Sequence, residues 1–93
     1  MMIHSVIIEC HIYESHSLKE KRSVIKKVVT RLRQQFNIAT AELDYQDLWQ
    51  RSQIGLVTIS SDKIKAEQEL QKAIAFVTRI PELEVTGTIV DWH

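Results

Sequence analysis

The sequence is poor in the residues that staple, break or loosen a chain: one cysteine, one proline and two glycines in 93 residues, with a formal net charge of zero. The lone thiol, Cys10, excludes an intrachain disulfide. A chain this short without a covalent staple is expected in a reducing compartment, with the cytoplasm as the default. So little glycine and proline leaves no flexible linker and no glycine-rich phosphate loop. No apolar run approaches the ~18 residues of a membrane span. The apolar opening, Met1 to Cys10, lacks a basic leader and a small-residue cleavage site and is interrupted by Glu9, so neither export nor membrane insertion is expected. Zero net charge argues against nucleic-acid binding by bulk charge alone.

Catalytic patterns are missing as well. His4, His11, His16 and His93 stand with Cys10 at none of the spacings of a familiar zinc site, and there is no nucleophile elbow or HExxH helix. Glu9 and His11 share a strand face, but most such pairs are structural. No metal, no other cofactor and no enzymatic activity are therefore expected.

What is present is an ordinary globular composition, 44% hydrophobic and 26% charged, in a length that fits one domain over residues 1–93. Residues Ile3 to Tyr13 alternate as a strand, with Val6, Ile8, Cys10 and Ile12 on one face. Ser17 and Glu20 form a capping box, and Leu18, Ile25, Val28, Val29 and Leu32 recur at helical spacing as far as Gln35. Phe36 to Leu43 and Gln53 to Ser60 read as two further strands. Ser61 or Asp62 caps a second helix with Leu70, Ala73, Ile74 and Val77 on its core stripe, and Pro81 ends it. Glu82 to Trp92 is the last strand, with Leu83, Val85 and Ile89 on one face. Two such halves pack most simply as a ferredoxin-like α+β fold of order βαββαβ, a four-stranded antiparallel sheet with both helices on one face.

The charge is unevenly spread. Between Ser17 and Gln35, seven basic residues (Lys19, Lys21, Arg22, Lys26, Lys27, Arg31 and Arg33) face one acidic residue, Glu20, giving +6 and leaving −6 for the rest of the chain. Lys19, Lys21 and Arg22 crowd a helix N-terminus that ordinarily favours acidic side chains. Free backbone N–H groups, Ser15, His16, Ser17 and these cations would suit an anion, particularly a phosphate. On a helical wheel Lys19, Arg22, Lys26 and Arg33 fall within roughly 60° of one another, a stripe able to track a phosphate backbone. The plainer reading is a solvated basic face whose charges pair elsewhere, with Ser17 a cap and nothing more.

The connection Asp44 to Ser52 is longer than a tight hairpin needs and carries Asp44, Tyr45, Asp47, Trp49 and Arg51, the residue types favoured in binding loops. Alternatively Leu48 and Trp49 fold back over the core end, and Asp44 and Asp47 merely shape the turn. The strand Gln53 to Ser60 has no aromatic residue. If RNA is bound, the basic helix or the loop must do it, not the sheet. With both helices on one face, Ile7, Glu9, His11, Thr86, Thr88, Val90 and Trp92 are expected on the other. An apolar patch of that kind suggests a homodimer through the open sheet face, although scattered exposed apolar residues are also common.

The runs SHSLKEKR (Ser15 to Arg22), IKKVVTRLRQQF (Ile25 to Phe36) and AELDYQDLWQR (Ala41 to Arg51), with Ile54 and Gly55, resemble the YlxP-like family, bacterial domains of unknown function, over essentially the whole chain. The resemblance implies a ferredoxin-like fold. That family is commonly encoded among transcription and translation genes, close to a ribosome-binding factor, which implies an association with RNA or the ribosome. It carries over no catalytic residues. Tyr45 stands where relatives often have histidine, which argues against an essential histidine there.

The expectation is thus a non-enzymatic binding protein that contacts RNA or the ribosome through the basic helix and the Asp44 to Arg51 loop. The rivals are a sensor of a small anionic metabolite at the strand-to-helix turn and a dimeric protein-interaction module.

Overall fold

A computed structural model describes residues 1–93. Its elements run β1 (Met2–Ile12), α1 (Leu18–Gln35), β2 (Ala39–Asp44), β3 (Arg51–Ser60), α2 (Lys63–Thr78) and β4 (Leu83–Trp92). The strands form one antiparallel sheet in the order β2-β3-β1-β4. Both helices cover one side, so the ferredoxin-like α+β fold expected from the sequence is the fold observed. No helix is long and apolar enough to cross a membrane.

The alternation read in β1 is the one that builds the core. Val6, Ile8, Cys10 and Ile12 are buried beside Ile54 and Leu56 of β3, and Ile25, Val28 and Leu32 of α1 and Leu70, Ala73 and Val77 of α2 close over them. Burial of these apolar side chains supplies most of the favourable free energy of folding. Helix α1 begins where the capping box said: the Ser17 hydroxyl accepts the Glu20 N–H at 3.1 Å, while the Glu20 carboxylate turns back to the N–H of His16 at 2.7 Å. Asp62 caps α2.

Two boundaries and one pairing register differ from the sequence reading, each for a local reason. Phe36 does not open β2; it is the C-cap of α1, and its ring meets Phe76 edge-on. β3 begins earlier, at Arg51, because β1 pairs with it as far as His11. In β4 the pairing slips between Glu9, opposite Gly87, and Cys10, opposite Val85, which leaves Thr86 as an extra residue.

That bulge reverses the faces of the last strand. Directly paired residues share a face, so Thr88, Val90 and Trp92, opposite Ile8, Val6 and His4, lie on the helix side, and Ile89, opposite Ile7, lies on the open side. The sequence reading had these four residues the other way round. Trp92 stacks on the buried imidazole of His4 at 3.8 Å between ring centroids, and the Lys63 ammonium of α2 lies over the indole. A second bulge, between Glu42 and Asp44, leaves Leu43 as an extra residue whose side chain lies over Gly55 on the open face.

Candidate functional site

The two polar segments singled out in the sequence, Ser15 to Arg22 and Asp44 to Arg51, lie far apart in the chain and meet in space. Three polar links join them. The Lys21 ammonium donates to the Tyr45 carbonyl at 2.8 Å, the Gln50 amide donates to the Ser15 carbonyl at 3.3 Å, and Arg22 approaches Asp47 at 3.8 Å.

Beneath them lies a buried polar cluster. Lys21 falls on the same side of α1 as Ile25, Val28 and Leu32, and is wholly buried with them. Its Nζ reaches the Glu42 carboxylate at 2.5 Å, and the same carboxylate oxygen accepts the Ser52 hydroxyl at 2.5 Å. Cys10 lies alongside, its thiol directed at the Ser52 carbonyl. Burial pushes the Cys10 pKa up to about 11, helped by the nearby Glu42 and Glu9 carboxylates, so the thiol stays protonated and is a poor nucleophile.

Lys21 and Ser15, both expected to contact a bound anion, are therefore turned inward. The ammonium of Lys21 is engaged by Glu42 and Tyr45, and the Ser15 hydroxyl is buried and donates to the Ser17 carbonyl. Glu42 and Ser52 escaped the sequence reading. The one available signal was that Glu42, two residues past Thr40 in an alternating strand, must point toward the helices.

The other cations of α1 divide into two groups. Lys27 pairs with Glu82 and holds its carboxyl below the ordinary carboxylate range, chiefly through their hydrogen bond. Arg33 donates to the Thr40 carbonyl of the edge strand β2. Lys19, Lys26 and Arg31 are not buried and make no ion pair, and Arg22 is exposed with only its long contact to Asp47. His16 is exposed at the turn that precedes them.

The loop has a defined shape. Tyr45 adopts a positive φ of 61°, the Leu48 N–H closes a turn on its carbonyl, and the Asp44 carboxylate accepts the Tyr45 N–H. The Arg51 guanidinium sits 4.0 Å from the Tyr45 ring centroid, a cation–π contact. Leu48 and Trp49 do not fold back over the core: Trp49 is 53% exposed and lines, with Leu48, Gln50, Arg51 and His11, an open depression of about 420 Å³. The loop thus runs from the helix layer, at Asp47, to the open face, at Arg51 and His11.

No cluster of three or more histidine, cysteine or acidic residues is placed to hold a metal.

A family model described as "Protein of unknown function (DUF503)" matches residues 3–89. The uncharacterized protein YlxP of Bacillus subtilis (strain 168) is 45% identical over 84 residues, covering 90% of this chain and 91% of that protein.

Proposed function

The chain belongs to the DUF503 family of proteins of unknown function, and from that premise we propose that it is a non-enzymatic protein that binds RNA, free or within a ribonucleoprotein. The observation that carries the proposal is the joining of α1 to the Asp44–Arg51 loop through Lys21, Arg22 and Gln50. It brings the loop that carries the exposed Trp49 against the helix that carries the exposed cations.

Cations that track phosphates and an aromatic face that accepts a base are the two parts of a single-strand reader. Lys19, Arg22 and Lys26 supply the first, and Trp49, with the Tyr45-backed Arg51, supplies the second. Lys21, Glu42 and Ser52 contact no RNA in this scheme; they hold helix and loop together. A lone thiol that is buried and protonated suits a protein of the reducing cytoplasm.

A small anion bound at the β1–α1 turn has less support. The Glu20 carboxylate already occupies the His16 N–H, Ser17 is engaged as the cap, and Ser15 is turned inward.

The test is fluorescence anisotropy with a labelled single-stranded RNA of mixed sequence across a range of salt. The wild type should bind with a steep salt dependence. Lys19→Glu combined with Lys26→Glu should weaken binding and flatten the slope of log K against log salt by about 0.7 for each phosphate left without its cation. No binding at low salt, or affinity and slope untouched by the double reversal, would overturn the proposal.

A further inference from the structure

The side of the sheet turned away from the helices carries Leu43, Val57, Ile59 and Ile89 in exposed positions. Its relief follows from register. Across one level of the sheet, Ile89 of β4 pairs with Ile7 of β1, Ile7 with Gly55 of β3, and Gly55 with Ala41 of β2. The row therefore descends from two isoleucines at one edge to an alanine at the other, with the Leu43 side chain lying over Gly55 between them. At the low edge, Ala39, Ala41 and Gly55, walled by Leu43, Val57 and His93, form a mostly apolar trough of about 410 Å³. At the high edge Ile89 is 61% exposed.

From this relief we infer that two copies of the chain pack open face to open face about a two-fold axis parallel to the strands, each seating Ile89 in the other's Ala39–Ala41 trough. Only two orientations of a two-fold axis lying between the faces keep the strands of both sheets roughly aligned. An axis perpendicular to the strands stacks β4 on β4 and β2 on β2, ridge against ridge and trough against trough. An axis parallel to the strands lays β4 over the partner's β2. It also leaves every row level with itself, so Ile89 comes over Ala41 and Ile7 over the Leu43 that covers Gly55.

The central polar row agrees with that choice. Glu9 and Gln53 are paired in the row next to Ile7 and Gly55, so the same axis sets each Glu9 over the partner's Gln53, a carboxylate against an amide donor. At the following level His11 comes over the partner's Arg51, with Glu84 one strand to the side. No like charges are opposed, and Asp91, opposite Ser5, comes over the partner's Ala39 at the end of the trough that His93 walls.

The area is sufficient. Strands ~4.8 Å apart, three of them ~35 Å long and β2 ~20 Å, present a projected face on the order of 600 Å² per copy. Side-chain relief raises the accessible area above that value, and stable interfaces begin at about 600 Å² per partner. α1 lies on the opposite side, so pairing of this kind leaves its cations exposed, while Arg51, part of the proposed RNA surface, lies at the edge of the interface.

Sedimentation equilibrium over a dilution series decides the matter, with circular dichroism on each variant to establish folding. The wild type should sediment as a dimer. Ala41→Ile fills the trough at an exposed position of an edge strand that favours β-branched residues, and should raise the dimer dissociation constant by about tenfold or more. Ile89→Ala alone should also weaken the dimer. The two together in one chain should restore association relative to Ala41→Ile, because the smaller residue now meets the filled trough. A wild type that stays monomeric at about 100 µM, well above the concentrations at which specific dimers form, would overturn the inference. Folded single variants that dimerise as tightly as the wild type, or a double variant no better than Ala41→Ile, would overturn it equally.

Discussion

The ammonium of Lys21 lies 2.5 Å from the Glu42 carboxylate at a point where Lys21 is wholly buried and the Glu42 side chain is 16% exposed. The pair joins α1 to β2, and through the Tyr45 carbonyl it fixes the start of the loop that carries Trp49. A charge pair out of water contributes little net stability, because desolvation offsets most of its attraction, but removing one partner leaves the other buried and uncompensated.

Lys21→Met keeps much of the buried stem and removes the charge. It should cost about 3 kcal/mol in urea unfolding, the lower end of the range for a broken buried pair, since Glu42 keeps some contact with water. Lys21→Met with Glu42→Gln should cost clearly less than the two single changes added together, by at least about 1 kcal/mol. Single changes below ~1 kcal/mol that simply add would show that the pair does not tie α1 to β2.

How much of this was legible beforehand depends on the range over which the signal acts. The alternation of β1, the capping box at Ser17 and Glu20, and the stripe of Ile25, Val28 and Leu32 are local, and each appears where the sequence places it. Lys21 shares that stripe on the helical wheel, yet its burial depends on Glu42, 21 residues further on, and no local pattern reveals such a partner. The faces of β4 were misread because one extra residue, Thr86, reverses a period of two. Ser15 and Gln50 gave no sign of being neighbours until the fold brought them together.

The bulge at Thr86 makes a test of its own. Trp92→Asp removes the ring that covers His4 on the helix side, so it should destabilise the monomer. The stacked pair contributes about 0.5–1.5 kcal/mol beyond the area it buries, and the loss should be at least that. It should not act as an interface change. A Trp92→Asp protein with wild-type unfolding and impaired self-association would place the indole on the open face after all.

Cys10 sets a pH dependence at the alkaline end. Its folded pKa is about 11 against an ordinary 9.0. Above pH 9 the unfolded chain therefore loses the thiol proton while the folded chain keeps it. Stability due to this group is complete below pH 9 and is lost as pH rises through 11, by roughly 2–3 kcal/mol for a two-unit shift. Cys10→Ala should unfold more easily at neutral pH, because it leaves a cavity, yet lose less stability than the wild type between pH 9 and 11. Equal slopes for the two proteins, measured by chemical denaturation at each pH, would remove Cys10 as the cause. The thiol should likewise react slowly with a disulfide reagent at pH 8 until the protein is unfolded.

Trp49 is the loop residue on which the RNA reading depends most directly. The indole is half exposed beside Arg51, whose guanidinium is braced on Tyr45, so a stacked base would find a platform that needs little ordering on binding. Trp49→Ala should therefore weaken binding of single-stranded RNA by about 1–3 kcal/mol while leaving the salt slope unchanged, since every phosphate keeps its cation. Lys19→Glu with Lys26→Glu should do the reverse in character, flattening the slope. In a Trp92→Phe background the remaining indole fluorescence should be quenched as RNA is added. If Trp49→Ala binds as well as its parent, or the fluorescence does not change while anisotropy reports binding, the loop takes no part in recognition, and the cations of α1 act alone.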